Sequence, residues 1–359
     1  MTGAPQLDIY GAGEHPNSAV GQILSIAEGV ERASCGKLRW DKVCGARALD
    51  TQCQDVRKSH LLSRTYIEQN PQLRAFSEEM PIEWIMGRRL ATGIDCAVPV
   101  DVVFYPLSME QLGRLRIAYS NSSGVGAGSS SHQAQASAIL ELIERDALMR
   151  LWLGEYSPVP IQSDAMDIGI LEAHERWQRA GRSLRMWRLR ADVPTVLATL
   201  SGDSPPAFVC GAASDLNLLG AMKRALNELE GSAVGVMGYG LLTPMPVGSI
   251  KSPQDHAAYY FDSSNARLLE AIFANTHKPQ VTDCEQSSAN SVDELIARYG
   301  PIEIELTPDA GPLMIVRVII ESLVPIWFGV TGQHARHVRV QILQAEVHRS
   351  SVIQSPFFP

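Results

Sequence analysis

The sequence predicts an α/β (α+β) fold with pseudo-symmetric halves, built from mixed sheets and helices, and three observations support it. Hydrophobic residues make up 45% and charged residues 19% of the 359, a globular composition. Segments with strand-like and helical apolar spacing alternate irregularly along the chain. The string Glu-x-x-Glu-Arg occurs at Glu28/Glu31/Arg32 and again at Glu141/Glu144/Arg145. A spacing of 113 residues between the copies hints at two related halves.

Taken in order, residues 18–34 predict a helix whose apolar stripe is Ile23, Ile26, Ala27 and Val30, with Asn17 or Ser18 as cap and Gly36 as stop. Residues 38–92 are expected to hold several shorter helices rich in Arg and Glu. The Val-rich run Ala97–Phe104 predicts a strand. The small polar segment 120–131 predicts a loop feeding a second helix, His132–Leu153, with a core-like face of Ala138, Ile139, Leu142 and Ile143. Strands at Val193–Leu200 and Phe208–Ala213 precede a third helix from Leu218 to about Val234. Residues 244–251 and 283–288 read as loops, and Leu313–Ile320 as a last strand before Pro325.

Thirty-one Lys and Arg against thirty-nine Asp and Glu give a net charge of −8. No basic cluster stands out, which argues against nucleic acid or an anionic membrane as partner. The N-terminus has no basic segment leading into an apolar run, so no signal peptide is expected. The apolar stretch 313–330 is broken by Arg317, Glu321 and Pro325 and reads as core, not as a membrane span. Six scattered cysteines without a Cys-x-x-Cys spacing predict reduced thiols in cytoplasm and no zinc site.

A Glu and an Arg four apart on a helix form an ordinary surface pair worth roughly 0.2–0.5 kcal/mol. Two details favour chemistry instead. Between His15 and Lys37 the only charged residues are Glu28, Glu31 and Arg32, and between Arg116 and Glu141 there are none. Charge placed so sparingly in an apolar helix must be paired or metal-bound if buried. Carboxylates three apart share one helix face, and four of them converging from two helices would need cations between them. An oxygen-rich site suits Mg²⁺, which typically binds phosphate as well, so the pattern predicts an ATP site without a Walker loop. The third helix adds Arg224-Ala-Leu-Asn-Glu228, read either as a surface pair or as a phosphate-binding arginine with a further carboxylate. Gly124-Val-Gly-Ala-Gly128 reads either as a turn or as backbone N–H groups brought close to phosphate at a helix N-terminus.

Together these features resemble the YcaO family of ATP-dependent enzymes that modify peptide backbones. Ser123-Gly-Val-Gly-Ala-Gly-Ser129, followed by Ala138-Ile-Leu-Glu-Leu-Ile-Glu-Arg-Asp-Ala147, is similar to the family's glycine-rich loop and Glu-x-x-Glu-Arg-Asp helix. Ala27-Glu-Gly-Val-Glu-Arg32 and Arg224-Ala-Leu-Asn-Glu228 resemble its first and third nucleotide motifs. Val316-Arg-Val-Ile-Ile320 with Pro325 and Phe328-Gly329 fits its C-terminal region. The chain departs from the pattern at Ser129, at Gln133, at Glu321-Ser-Leu and in lacking a lysine within Gly11-Ala-Gly-Glu-His15.

The resemblance implies a single YcaO domain over residues 1–359, including a proline-containing tail at 355–359. By the same resemblance Glu28, Glu31, Glu141 and Glu144 hold Mg²⁺, while Arg32, Ser129, Gln133, Arg145, Arg224 and Glu228 serve the nucleotide. The expected activity is ATP-dependent cyclodehydration: Cys, Ser or Thr of a ribosomally made precursor peptide becomes thiazoline or oxazoline after phosphorylation of the amide oxygen. The tail Ser355-Pro-Phe-Phe-Pro359 is expected to bring the Pro359 carboxylate to the active site. No leader-capturing domain is visible, so an E1-like or leader-recognising partner protein is expected, with an FMN dehydrogenase in the same oligomeric complex. Thioamide or amidine formation and a non-catalytic scaffold role are the alternatives, the last supported by the departures at Ser129 and Gln133.

Overall fold

The computed structural model describes residues 13, 15, 17–36, 38, 42–47, 64–105, 112–118, 120–239, 250, 253–269, 272–273, 289–308 and 311–326. Helices of eight or more residues and all strands, in chain order, are α1 (Ser18–Gly36), β1 (Val43–Arg47), β2 (Pro81–Arg89), β3 (Asp95–Pro99), β4 (Val125–Gly128), α2 (Ser131–Leu153), β5 (Val159–Pro160), α3 (Ile168–Arg179), β6 (Ser183–Leu189), β7 (Thr195–Ser201), β8 (Phe208–Ser214), α4 (Leu218–Tyr239), α5 (Val292–Tyr299), β9 (Ile302–Glu305) and β10 (Met314–Ile319). The chain divides into two compact units. One comprises Met1–His60, Pro71–Ile139 and Tyr299–Ile320, the other Leu61–Asn70, Leu140–Arg298 and Glu321–Pro359.

The first unit is built on a six-stranded sheet of order β1-β2-β9-β10-β4, with β3 also paired to β2. Every ladder in it is antiparallel. Ile82, Trp84, Val98, Val100, Ile304 and Ile315 fill its core. Two expectations change here. Within residues 38–92 the described part is mainly β1 and β2, with one short helix at Arg64–Gln69. The charged residues that suggested helices are absorbed by pairing: Glu83 on β2 meets Arg114 Nε at 2.5 Å. The run Ala97–Phe104 is strand only to Pro99, where the chain turns into the fully buried helical turn Val100–Val103. Proline has no N–H to continue a ladder.

The segment read as a loop contains β4, paired with β10 from Val125↔Arg317 to Gly128↔Met314. A Cβ on Gly126 would lie 2.3 Å from the Ala134 carbonyl oxygen and 2.8 Å from the Ala138 nitrogen. This glycine therefore lets the start of α2 lie directly on the strand. Asn17 caps α1, its Oδ1 accepting from the Ala19 and Val20 N–H groups at 3.0 and 3.3 Å. The α1 stripe expected in the core reaches it only in part: Val30 packs against it, while Ile23 and Ile26 are 65% and 64% exposed.

The second unit has a four-stranded antiparallel sheet, order β5-β6-β7-β8. Period-two alternation sends Leu184, Met186, Val196, Ala198 and Leu200 to one face, against Ile170 and Ala173 of α3 and Ala221, Ala225 and Leu229 of α4. The other face carries Trp187, Leu189, Leu197, Phe208 and Cys210, packed on Ala147, Leu148, Leu151 and Trp152 of α2. A Cβ on Gly211 would meet the Leu229 nitrogen at 2.3 Å, so α4 also rides on a glycine. With both sheets antiparallel and helices on their faces, the predicted α/β (α+β) class takes its α+β form. Among the described residues no helix is long and apolar enough to cross a membrane, and Cys35, Cys44, Cys96 and Cys210 are free thiols.

Candidate nucleotide and metal site

Among the described residues β8 is the last strand of its sheet, and no strand pairs with its outer N–H and C=O groups. One of them is satisfied from α4, where Glu228 Oε2 accepts the Ala212 N–H at 2.8 Å. This bond draws a carboxylate to the sheet border, where α2 brings Glu141, Glu144 and Arg145. Arg145 Nε lies 3.5 Å from Glu144 Oε1, and its Nη2 3.7 Å from Glu141 Oε1. The structure thus gathers five of the predicted residues, Glu141, Glu144, Arg145, Arg224 and Glu228, in one electrostatic cluster inside the second unit.

The cluster is under electrostatic stress. Burial pushes the Glu144 carboxyl up to about 8; Arg145 opposes the rise, and Glu228 and Glu141 add to it. Glu228 is also raised, first by burial. For Arg145 the desolvation is outweighed by Glu144, Glu141 and Glu228, which hold its charge more firmly than usual. The thiol of Cys210, buried beside Glu228, is pushed up as well. Three carboxylates face two guanidiniums, and Arg224 is half exposed with Asp215 Oδ2 at 3.8 Å. Arg145 Nε is buried without a hydrogen-bond partner. Glu144 and Glu228, driven toward neutrality first by burial and then by neighbouring carboxylates, beside a guanidinium N–H without a hydrogen bond, fit a divalent cation together with an anion such as phosphate. Among the described residues no three His, Cys, Asp or Glu side chains are clustered to hold a metal by themselves. Mg²⁺ that keeps waters and shares phosphate oxygens needs only one or two protein carboxylates.

The other predicted residues lie in the first unit or outside the described residues. Ser129 and Gln133 cap α2: Gln133 Oε1 accepts from the Ser129 N–H and Oγ at 2.9 and 2.8 Å, while Ser130 Oγ accepts the Gln133 N–H at 3.3 Å. Both side chains are exposed. On α1, Arg32 Nη2 pairs with Glu28 Oε1 at 2.5 Å, and Glu31 is half-buried one turn away. Pro359 and the tail at 355–359 lie outside the described residues.

Sequence reasoning missed the Ala212 N–H, because strand-border position depends on sheet order and no local pattern announces it. It also missed a buried ion group in the first unit. Asp101 accepts from Arg114 Nη1 and Nη2 at 3.1 and 2.6 Å and from the Ile117 N–H at 3.0 Å. A basic run escaped notice too, six arginines between Arg176 and Arg190. The fold disperses part of it: Arg176 pairs with Glu230, Arg179 with Glu175, and Arg182 donates to the Ser204, Pro205 and Pro206 carbonyls.

Comparison with known proteins bears on the family and the fold. Residues 11–324 match the family described as YcaO cyclodehydratase, ATP- and Mg²⁺-binding. Similar folds include a heterocyclase in complex with substrate and cofactor, at TM-score 0.74 and 17% identity, over 96% of this chain and 48% of that one. The YcaO protein of Methanopyrus kandleri bound with AMPPCP and Mg²⁺ gives 0.61 and 18%, over 86% and 77%. The E. coli microcin synthetase McbBCD complex gives 0.68 and 12%, over 96% and 89%. A curated relative, an uncharacterized protein of Methanothermobacter thermautotrophicus (strain Delta H), is 27% identical over 157 residues, 42% of this chain and 41% of its own length. The chain thus spans less than half the length of that relative and of the heterocyclase.

Proposed function

The chain belongs to the YcaO family, and from that premise we propose that it is the ATP- and Mg²⁺-dependent cyclodehydratase subunit of a peptide-modifying synthetase. Its substrate is a ribosomally made precursor peptide, in which Cys, Ser or Thr becomes thiazoline or oxazoline. The observation that carries the reading is the Glu141–Glu144–Arg145–Arg224–Glu228 cluster, formed by the family-like helices and unbalanced in charge. The neighbours described as heterocyclases, one with substrate and cofactor and another family protein with AMPPCP and Mg²⁺, support the same chemistry. The family match crosses both compact units, which supports reading them as parts of one YcaO domain.

Glu141 and Glu144 are assigned to Mg²⁺, and Arg145 and Arg224 to nucleotide phosphate. Glu228 keeps α4 on the strand border and adds negative charge to the site. Glu28 and Glu31 as further metal ligands, and Arg32, Ser129 and Gln133 as nucleotide contacts, rest on their motifs. When bound, Mg²⁺–ATP supplies a phosphoryl group that turns the amide oxygen of the cyclised adduct into a leaving group. The chain's part is electrostatic: Arg145, held charged by three carboxylates, offers a fixed N–H to an anion, and Glu144 gives up its proton when a cation arrives. A leader-recognising partner that delivers the peptide, with an FMN dehydrogenase downstream in an oligomeric complex, completes the assignment. A cytoplasmic setting suits both ATP and free thiols.

The test is reconstitution with the precursor, the partner and Mg²⁺–ATP, followed by peptide mass. Loss of one water per ring, dependent on ATP and reduced about 10²–10³-fold by Glu144→Gln, is expected. Exchange of oxygen for sulfur would move the protein to thioamide formation. Absence of nucleotide binding in calorimetry would leave a scaffold role.

A further inference from the structure

The sheet of the second unit ends differently at its two borders. At β8 one outer N–H, that of Ala212, is taken by Glu228. At the opposite border β5 pairs with β6 only at Val159↔Arg188 and Pro160↔Trp187, and the Ile161 N–H adds one bond to the Met186 carbonyl at 2.9 Å. The chain then enters the 3₁₀ turn Ser163–Ala165, and Ile161, Gln162, Ser163 and Met166 form one wall of the space beside it. Met186 thus directs its backbone polar groups to the β5 side, and by period-two alternation so does Leu184. Among the described residues no strand pairs with Leu184 on that side.

A cavity of about 580 Å³ wraps this border. Leu184 and Met186 line it from one face of the sheet, Arg185 and Trp187 from the other, and Leu171 and His174 from α3. Only a sheet border exposes both faces to one cavity. Arg185 is exposed and, unlike Arg176, Arg179 and Arg182 of the same basic run, has no side-chain hydrogen-bond or ion-pair partner among the described residues. In a chain of net charge −8 this is a local positive point above an apolar floor.

We propose that this border is a docking site for an extended segment of the peptide substrate, added as a strand alongside Ser183–Arg185. Its apolar side chains enter between Leu171 and Leu184, and an acidic side chain between them meets Arg185. Strand addition draws affinity from backbone bonds and selectivity from alternate side chains, which matches a groove that is apolar on one face and cationic on the other. The identity of the occupant rests on the peptide-modifying reading above; the groove does not.

Fluorescence anisotropy on the full chain, without nucleotide or partner, tests this with a labelled decapeptide alternating Leu and Glu. Two comparators are N-methylated at alternate amides, one for each register, and a third alternates Leu and Lys. The Leu/Glu peptide is expected to bind, one N-methylated form and the Leu/Lys peptide to bind about tenfold or more weakly, and the exposed substitution Arg185→Glu to reverse the Glu-over-Lys preference. Slower hydrogen exchange in residues 183–185 should accompany binding. No binding, equal binding of both N-methylated forms, or a preference unchanged by Arg185→Glu would overturn the proposal. None of these readouts needs ATP-dependent dehydration, so either conclusion can fail while the other stands.

Discussion

The five-residue string Glu-x-x-Glu-Arg meets different environments on α1 and on α2. On α1, Glu28 and Arg32 form a close pair at 2.5 Å with side chains 29% and 46% exposed. On α2 the matching pair, Glu141 and Arg145, is 29% and 18% exposed at a looser 3.7 Å, and Arg145 also faces Glu144, 9% exposed at 3.5 Å, with Glu228 of another helix in the same field. The turn of helix is alike; what differs is the packing around it. A solvated pair relaxes toward its best geometry and gains little. The buried group is held by α4 and β8 at distances its members would not choose, and its carboxyl groups respond by holding protons. Spacing in a sequence specifies which groups share a helix face, and the neighbouring helix decides whether they have chemical consequences.

The largest effect expected from this contrast is on stability. Arg145→Ala leaves buried carboxylates without their main counter-charge and should cost about 3 kcal/mol near pH 8 in urea unfolding. The matching Arg32→Ala should stay within about 0.5 kcal/mol. Equal losses at the two positions would erase the distinction.

A second effect concerns pH. Glu144 has its ordinary carboxyl value of 4.5 when unfolded and about 8 when folded. In the metal-free protein its stabilising contribution is complete below 4.5, falls as pH rises because only the unfolded chain ionises, and is gone above about 8. The stability of wild type minus that of Glu144→Gln should therefore decline between those limits and level off beyond them. A flat difference from pH 5 to 9 would show that the side chain is solvated. Apart from the Arg32→Ala control, the least effect is expected from Asn17→Ala, about 1 kcal/mol from the lost cap, since α1 is anchored at its start by that side chain and buries little besides Gly21 and Cys35.

Much of this was legible in the sequence, and the parts that were not share a cause. α1, α2, α4, β7 and β8 follow from periodicity and cap residues. β4 was hidden because its glycines look like a loop until Ala134 and Ala138 are seen to lie against Gly126. β2 was hidden because Glu83 looks solvent-bound until Arg114 is placed beside it. The α1 stripe misled in the other direction: Ile23 and Ile26 have helical spacing, but spacing does not say what covers a face. The site was read in the same way, with Glu141, Glu144 and Arg145 found by pattern. The Glu228–Ala212 bond that gives them a third helix needs strand order to be known.

That single bond has a consequence for solubility as well as for chemistry. An uncapped terminal strand invites another copy to zip onto it, the first step toward aggregates. By seating a carboxylate on the Ala212 amide, the protein shields that strand with the same side chain that shapes its charged pocket. Replacing Glu228 would therefore expose the chain to self-association, and a loss of soluble yield would precede any measurable change in turnover.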